Sequence, residues 1–171
     1  DPLSVALDTS DPDAFAAALG GQFQRYGFAS VKDHGIPQPL IDAALADIKA
    51  FFALPETVKR RYHQVGGGGQ RGLTPFGIET AKGFDKHDLK EFWHTGRELP
   101  AEIAGFKEHI YGLFQALDAL GLTLLRAIAR HLKLAADFFD DPVRDGNSIL
   151  RLLHYPPVEG ATDHVRAGAH E

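Results

Sequence analysis

The chain carries nine histidines and no cysteine in 171 residues, so a metal site or a nucleophile has to come from imidazoles, carboxylates and hydroxyls. Two of the histidines, His164 and His170, lie close together in DHVRAGAHE. A zinc centre built on them would need further donors, and neither an HExxH helix nor a Cys pair is present to supply them. A non-haem iron centre of the facial-triad kind needs two histidines and one carboxylate, the first two commonly spaced as His-x-Asp or His-x-Glu on a strand edge. His170 can begin that pattern, whose carboxylate would fall one place after Glu171. Glu171 itself holds the intervening position, and alternate residues of a strand point to opposite faces, so its side chain faces away from any metal that His170 binds.

The other histidines have simpler readings. His63, His87, His109 and His131 stand among charged neighbours and are expected to be solvated. His34, in KDHGIP, sits at a turn where its ring can hydrogen-bond a backbone carbonyl. His94 follows Phe92 and Trp93 in a run dense in aromatics and acids and is expected to be packed rather than ligating. The segment QVGGGGQRGLTPFG, residues 64–77, is expected to be a loop. Its four glycines do not make a phosphate cradle, because the Gly-Lys-Ser/Thr ending and the preceding strand are missing.

These residues need a frame, and composition limits it. Lys and Arg total 18 against 23 Asp and Glu, a net charge of -5. That balance argues against nucleic acid and anionic lipid and points to a small-molecule ligand. The lack of cysteine fits a reducing compartment, and no uninterrupted apolar run approaches the roughly 18 residues of a membrane span, so the expected location is the cytoplasm. Oligomeric state has no signature in the chain.

The elements follow from periodicity. Asp11 and Pro12 read as N-cap and first helical residue, with Phe15, Leu19, Phe23 and Tyr26 at helical spacing until Gly27. FASVK reads as a strand of about five residues. Pro39 opens a second helix that Pro55 ends, and a short polar helix follows from Glu56 to Tyr62. From Ala101 to Leu132 one apolar stripe, including Phe106, Ile110, Leu113 and Ile128, predicts a long helix backing the main sheet. After a DDP turn at Asp140 to Pro142, SILRLLHYP reads as a strand of six to eight residues. Ile149, Arg151, Leu153 and Tyr155 lie on one face and Leu150, Leu152 and His154 on the other, so packing on both sides is expected. The sum is an α+β chain rich in helices.

RYGFASVKDHGIP, FFALPETVKRRY, RGLTPFG and LRLLHYPP, in that order and followed by GAHE, resemble the isopenicillin N synthase-like branch of the iron(II)/2-oxoglutarate-dependent dioxygenases. The likeness runs over nearly the whole chain. It implies a double-stranded β-helix, or jelly roll, with flanking helices. Residues 1–147 would be the helix-rich N-terminal region and residues 148–171 the start of the catalytic barrel, so that the chain belongs to a longer protein. His170 then matches the first iron ligand and Glu171 the non-ligating position. Tyr155 looks like the strand tyrosine that can reach the co-substrate or the substrate in several relatives, while Leu153 stands where plant relatives often have Asn. Arg71 is similar in placement to an arginine that grips a substrate carboxylate. The Asp ligand, the second His and an Arg-x-Ser pair for the co-substrate would lie past Glu171. Relatives in bacteria commonly carry a Pro-rich loop where Pro100 here runs straight into AEIAGFKEH.

The chemistry implied is oxidation of a small molecule with iron(II), 2-oxoglutarate as co-substrate and dioxygen, releasing succinate and CO2, with the protein positioning substrate and excluding water. The loop from Gly66 to Gly69 would close over the substrate. Two rival readings are an oxidase of isopenicillin N synthase type that needs no 2-oxoglutarate, and a degenerate relative acting as a small-molecule binding module.

Overall fold

The computed structural model describes residues 1–171 except 67–68, 81–84, 96–98, 145, 161–162, 165 and 168–171. Two compact units divide the chain: residues 1–38 with 113–148, and residues 39–112 with 149–171.

In the first unit β1 (Leu3–Ser4) pairs in parallel with β2 (Val31–Lys32), and α1 (Ala6–Ser10) and α2 (Pro12–Tyr26) run between them. The predicted start and stop of α2 hold. Asp11 accepts the Ala14 N–H at 3.0 Å, Pro12 occupies the first turn, and Gly27 closes the helix at φ 76° in the left-handed conformation that suits glycine. The stripe buries Phe15, Ala16 and Leu19 against Ala127, with Leu3, Val31, Leu124 and Ile128 packed around them. The five-residue strand expected at FASVK shrinks to Val31 and Lys32, because its partner β1 is two residues long and Asp33 leaves the extended region at φ 57°. The DDP turn is instead the start of α6 (Asp140–Arg144). Pro142 falls in the first turn of that helix, where the missing N–H has no helical partner to lose, and Arg126 clasps Asp140 with Nη2 2.5 Å from Oδ2.

The second unit contains α3 (Gln38–Phe52), α4 (Glu56–Lys59), a turn of 3-10 helix (Arg60–Tyr62) and the antiparallel sheet β3 (Gly72–Thr74), β4 (Glu91–His94), β5 (Arg151–His154). Trp93, fully buried, anchors its core, with ring centroids 5.0 Å from Phe51, 5.7 Å from Phe106 and 5.8 Å from Tyr62. The glycine-rich segment expected to be all loop contains β3, because burial of Leu73 opposite Trp93 outweighs the poor strand propensity of its neighbours. β5 has four residues rather than six to eight, although Leu150 O still accepts the Thr95 N–H at 3.1 Å.

The long helix is α5 (Phe106–His131). It begins after Gly105, whose φ of 85° breaks the stripe expected to start at Ala101. Only its first turns, through Phe106 and Ile110, back the sheet unit, while residues from Leu113 onward belong to the first unit. By length and composition α5 is also long and apolar enough to cross a membrane, with a mean hydropathy of 1.3 over its most apolar window, although its apolar residues are interrupted by polar ones. Its Ala127 nevertheless lies in the core with Phe15 and Leu19, and Arg130 reaches Asp13 at 3.2 Å, as in a packed helix of a globular unit.

Candidate functional site

The strand period sorts the side chains of the β3–β4–β5 sheet onto two faces. One face holds Leu73, Glu91, Trp93, Leu152 and His154, and the other holds Thr74, Phe92, His94, Arg151 and Leu153. Tyr155, the residue after β5, falls by alternation on the second face.

The first face contains a buried ionic group. Lys59 at the end of α4 sets its ammonium 2.7 Å and 3.0 Å from the two oxygens of Glu91, and His154 Nδ1–H donates to Glu91 Oε1 at 2.8 Å. The His154 ring stacks on Phe52, with centroids 4.9 Å apart. A buried carboxylate is costly unless its oxygens are filled, and Lys59 and His154 fill those of Glu91.

The second face holds a different set. His94 is buried, its Nδ1–H donating to Gly69 O at 2.6 Å and its Nε2 accepting from Arg151 Nε at 2.6 Å. Burial lowers the pKa of His94. The Gly69 carbonyl opposes that shift, and the nearby Arg151 and Arg71 guanidiniums add to it. A neutral ring with the proton on Nδ1 satisfies both bonds. Arg151 also lies over the Phe92 ring at 4.6 Å and approaches Glu79 at 3.7 Å. Arg71 is half-buried and its Nη1 donates to Gln70 O at 2.7 Å. Leu153 is 49 % exposed, so the two-sided packing expected of this strand does not hold along its odd face among the described residues.

A third group lies just before β4. Asp88 is 1 % exposed, and the Lys90 ammonium stands 3.1 Å from its Oδ2 and 2.6 Å from Glu79 Oε2. Burial alone would lower the pKa of Lys90, but hydrogen bonds to Glu79 and Asp88 outweigh it and raise the value. Asp88 Oδ1 accepts the backbone N–H of Ala167 at 3.0 Å. Beside it His164 Nδ1 donates to His87 O at 3.3 Å, and Lys86 pairs with Asp163.

Of the residues singled out from sequence, His170 and Glu171 lie outside the described residues, as do Gly67 and Gly68 of the glycine loop. Tyr155 is half-buried, with the Arg166 guanidinium 5.8 Å over its ring and Arg166 Nη2 donating to its carbonyl at 3.1 Å. Arg71 stands close enough to His94 for its charge to act on that ring. His94 is packed as expected. His63 and His109 are not merely solvated: His63 Nδ1 donates to Leu73 O at 2.9 Å, and His109 Nδ1 lies 2.7 Å from Asp47. His34 receives the Ile36 N–H on Nδ1 at 3.1 Å, so its turn bond runs from backbone to ring and not from ring to carbonyl. Lys59, Asp88, Lys90, Glu91 and Arg151 went unmarked. Asp88, Lys90 and Glu91 share the run DLKEFWH, in which charged residues lead directly into the buried Phe92, Trp93 and His94; Lys59 and Arg151 carry no comparable local signal.

Among the described residues no three His, Asp or Glu side chains converge as metal ligands, and His170 lies outside them.

Residues 2–119 match the family described as the N-terminal region of non-haem dioxygenases in morphine synthesis. A crystal structure of a 2OG-Fe(II) oxygenase family protein from Caulobacter crescentus is 50 % identical, with a TM-score of 0.85 over 99 % of this chain and 60 % of that one. A protein of Neurospora crassa, solved at full length in complex with alpha-KG, superposes with a TM-score of 0.85 at 28 % identity over 98 % of this chain and 59 % of its own. Among curated proteins, a proline hydroxylase of Petromyces alliaceus is 34 % identical over 85 % of this chain and 50 % of its own length. A 2-oxoglutarate-dependent dioxygenase of Aspergillus rugulosus is 29 % identical over 91 % of this chain and 55 % of its own. These matches show the family of non-haem, 2-oxoglutarate and iron(II) type oxygenases. The chain belongs to that family, in its isopenicillin N synthase-like branch, and spans about half the length of the curated relatives it matches.

Proposed function

We propose that this chain is the first part of an iron(II), 2-oxoglutarate-dependent dioxygenase that oxidises a small molecule. In this reading residues 1–147 form the N-terminal region and residues 148–171 enter the jelly-roll barrel, whose remaining strands lie past Glu171. The observation that carries it is the second face of the β3–β4–β5 sheet. Along β5 it presents Arg151 and Leu153, both exposed, and then the half-buried Tyr155, while the opposite face is filled by Trp93, Phe51 and Phe106. One sheet face closed by helices and one free to line a cavity is what a barrel wall requires.

The residues present suit an anionic co-substrate. Arg151 and the Tyr155 hydroxyl are donors for carboxylate oxygens, and the buried Thr74 hydroxyl on the same face has no hydrogen-bond partner among the described residues. His170 would be the first iron ligand and Glu171 a non-ligating neighbour. When bound, the metal supplies activation of dioxygen and oxidative decarboxylation of 2-oxoglutarate. The chain's own part is placement. Tyr155 orients the co-substrate and Arg71 holds a carboxylate of the substrate. His94 fixes Arg151 through Nε, while the Phe92 ring lies under its guanidinium.

The test is iron-dependent formation of succinate from 2-oxoglutarate by the full-length gene product under air. Succinate supports the dioxygenase. Its absence from iron-loaded protein would favour an oxidase of isopenicillin N synthase type or a binding module.

A further inference from the structure

Gly72, His94 and Arg151 lie in register across the three strands of the β3–β4–β5 sheet. His94, in the middle, is 2 % exposed and uses both ring nitrogens: Nδ1 lies 2.6 Å from Gly69 O and Nε2 lies 2.6 Å from Arg151 Nε. An arginine Nε–H can only donate, so Nε2 is the acceptor and the ring proton sits on Nδ1, which donates to Gly69. A ring protonated on both nitrogens cannot take the bond from Arg151. Gly69 suits its end of this line, because it stands at φ 69° and a Cβ there would lie 3.1 Å from the buried Thr74 Oγ1.

At the other end Arg151 is held but not used up. His94 binds its Nε, its guanidinium lies 4.6 Å over the Phe92 ring, and Glu79 approaches Nη1 only to 3.7 Å, longer than a hydrogen bond. Among the described residues the Nη1 and Nη2 N–H groups of Arg151 make no hydrogen bond, and its side chain is 43 % exposed. Arginine normally gives up much rotamer freedom when it takes an anion. His94 and Phe92 have already removed that freedom, and the planar fork that remains matches a carboxylate. The charged groups that act on His94 are Arg151 on β5, Arg71 ahead of β3 and Glu79 after it. Burial first, then the two guanidiniums, hold the ring's pKa below the ordinary 6.5 against the opposing Gly69 carbonyl and Glu79, so the ring accepts from Arg151 at neutral pH.

We infer that His94 is a positioning residue for co-substrate binding: anchored on the Gly69 carbonyl, it holds Arg151 by Nε so that the two Nη groups are set to receive a carboxylate of 2-oxoglutarate. The inference rests on reading Arg151 as a donor to the co-substrate.

The test uses the full-length gene product, loaded with Fe(II) under nitrogen, and two readouts: the dissociation constant for 2-oxoglutarate from about pH 8 to about pH 5, and the NMR signal of the Arg151 Nε–H. In His94→Ala 2-oxoglutarate binds about tenfold more weakly at the upper pH, and the Nε–H exchanges with water at least about tenfold faster. His94→Gln keeps an oxygen that can accept from Arg151 and restores the affinity to within about threefold of the parent. As pH falls below 6.5 toward the lowered pKa of His94, the parent loses affinity more steeply than His94→Gln, whose side chain does not titrate. That comparison holds even where His94→Ala fails to fold. A folded His94→Ala protein with parental affinity and a parental Arg151 signal, or parallel pH profiles for the parent and His94→Gln, overturns the inference. Arg151→Gln separates the two ideas: if it binds 2-oxoglutarate as the parent does, the donor reading fails whatever His94 does. If it loses affinity while His94→Ala retains it, the positioning role alone fails.

Discussion

Glu91 and His154 stand directly opposite each other across the β4–β5 pairing, joined by a 2.8 Å hydrogen bond from His154 Nδ1 to Glu91 Oε1, with Lys59 closing the other side of the carboxylate. The pair ties the strand that leads to Tyr155 into the helix-covered interior. Lys59 has a side chain only 8 % exposed, so Glu91→Leu leaves its buried ammonium with only Glu56, 3.3 Å away and largely exposed, and is expected to cost about 3 kcal/mol. Lys59→Met combined with Glu91→Leu removes both charges and should recover most of that loss. Urea unfolding of the parent, the single and the double variants measures the difference, and an equally unstable double variant would show that the ion pair is not the cause.

Gly72 opens β3 at φ 74°, and a Cβ there would lie 2.3 Å from the Tyr62 carbonyl oxygen. Gly27 has nearly the same angle, φ 76°, with nothing within 4 Å of its would-be Cβ. Gly27→Ala therefore carries only the backbone penalty of about 1 kcal/mol, whereas Gly72→Ala adds a clash with main chain and should cost roughly 3 kcal/mol. Thermal melts of the two variants give the comparison.

Stability should fall with acid in a window that His94 sets. Burial, helped by Arg151 and Arg71, holds its folded-state pKa below the ordinary 6.5. The unfolded chain therefore takes up a proton at pH values where the folded protein does not, and falling pH favours unfolding. The contribution is complete above pH 6.5 and is lost progressively as pH drops below that value toward the lowered one. Unfolding free energy measured from pH 8 to pH 5 (about the range in which histidine titrates) should decline in the parent and be flatter in His94→Gln. Parallel curves would assign the acid sensitivity to other groups.

The two proposed binding residues divide by ligand. If Tyr155 serves the co-substrate and Arg71 the substrate, Tyr155→Phe raises the KM for 2-oxoglutarate about tenfold, as loss of a hydrogen bond to a charged group implies. Arg71→Gln leaves that KM within about twofold and instead separates 2-oxoglutarate consumption from product formation. Steady-state kinetics with both products counted distinguishes the two, and an identical effect on 2-oxoglutarate would reassign Arg71 to the co-substrate.

The ends of helix α2 were legible to the residue because their signals are local, an Asp-Pro start and a glycine stop, whereas its stripe faces the core only through Phe15 and Leu19, with Phe23 and Tyr26 exposed. β3 was not, because Gly72, Leu73 and Thr74 become a strand only through Trp93 and its neighbours on β4, contacts no local pattern encodes. The division of α5 between two units was hidden for the same reason, since a single apolar stripe does not say which partner each turn meets. Among site residues, those carried by motif were marked in advance, while Asp88, Glu91 and Arg151 gain their meaning from partners distant in sequence: Ala167, Lys59 and His94.

The central claim is that His170 is an iron ligand of a 2-oxoglutarate-dependent dioxygenase. Its most direct measurement is the iron content of the full-length protein and of its His170→Ala variant, each loaded with Fe(II) and 2-oxoglutarate under nitrogen and then desalted. The account predicts about one iron per chain in the parent, as for a single facial-triad site, and almost none in a variant that remains folded. Equal iron in the two proteins would contradict it.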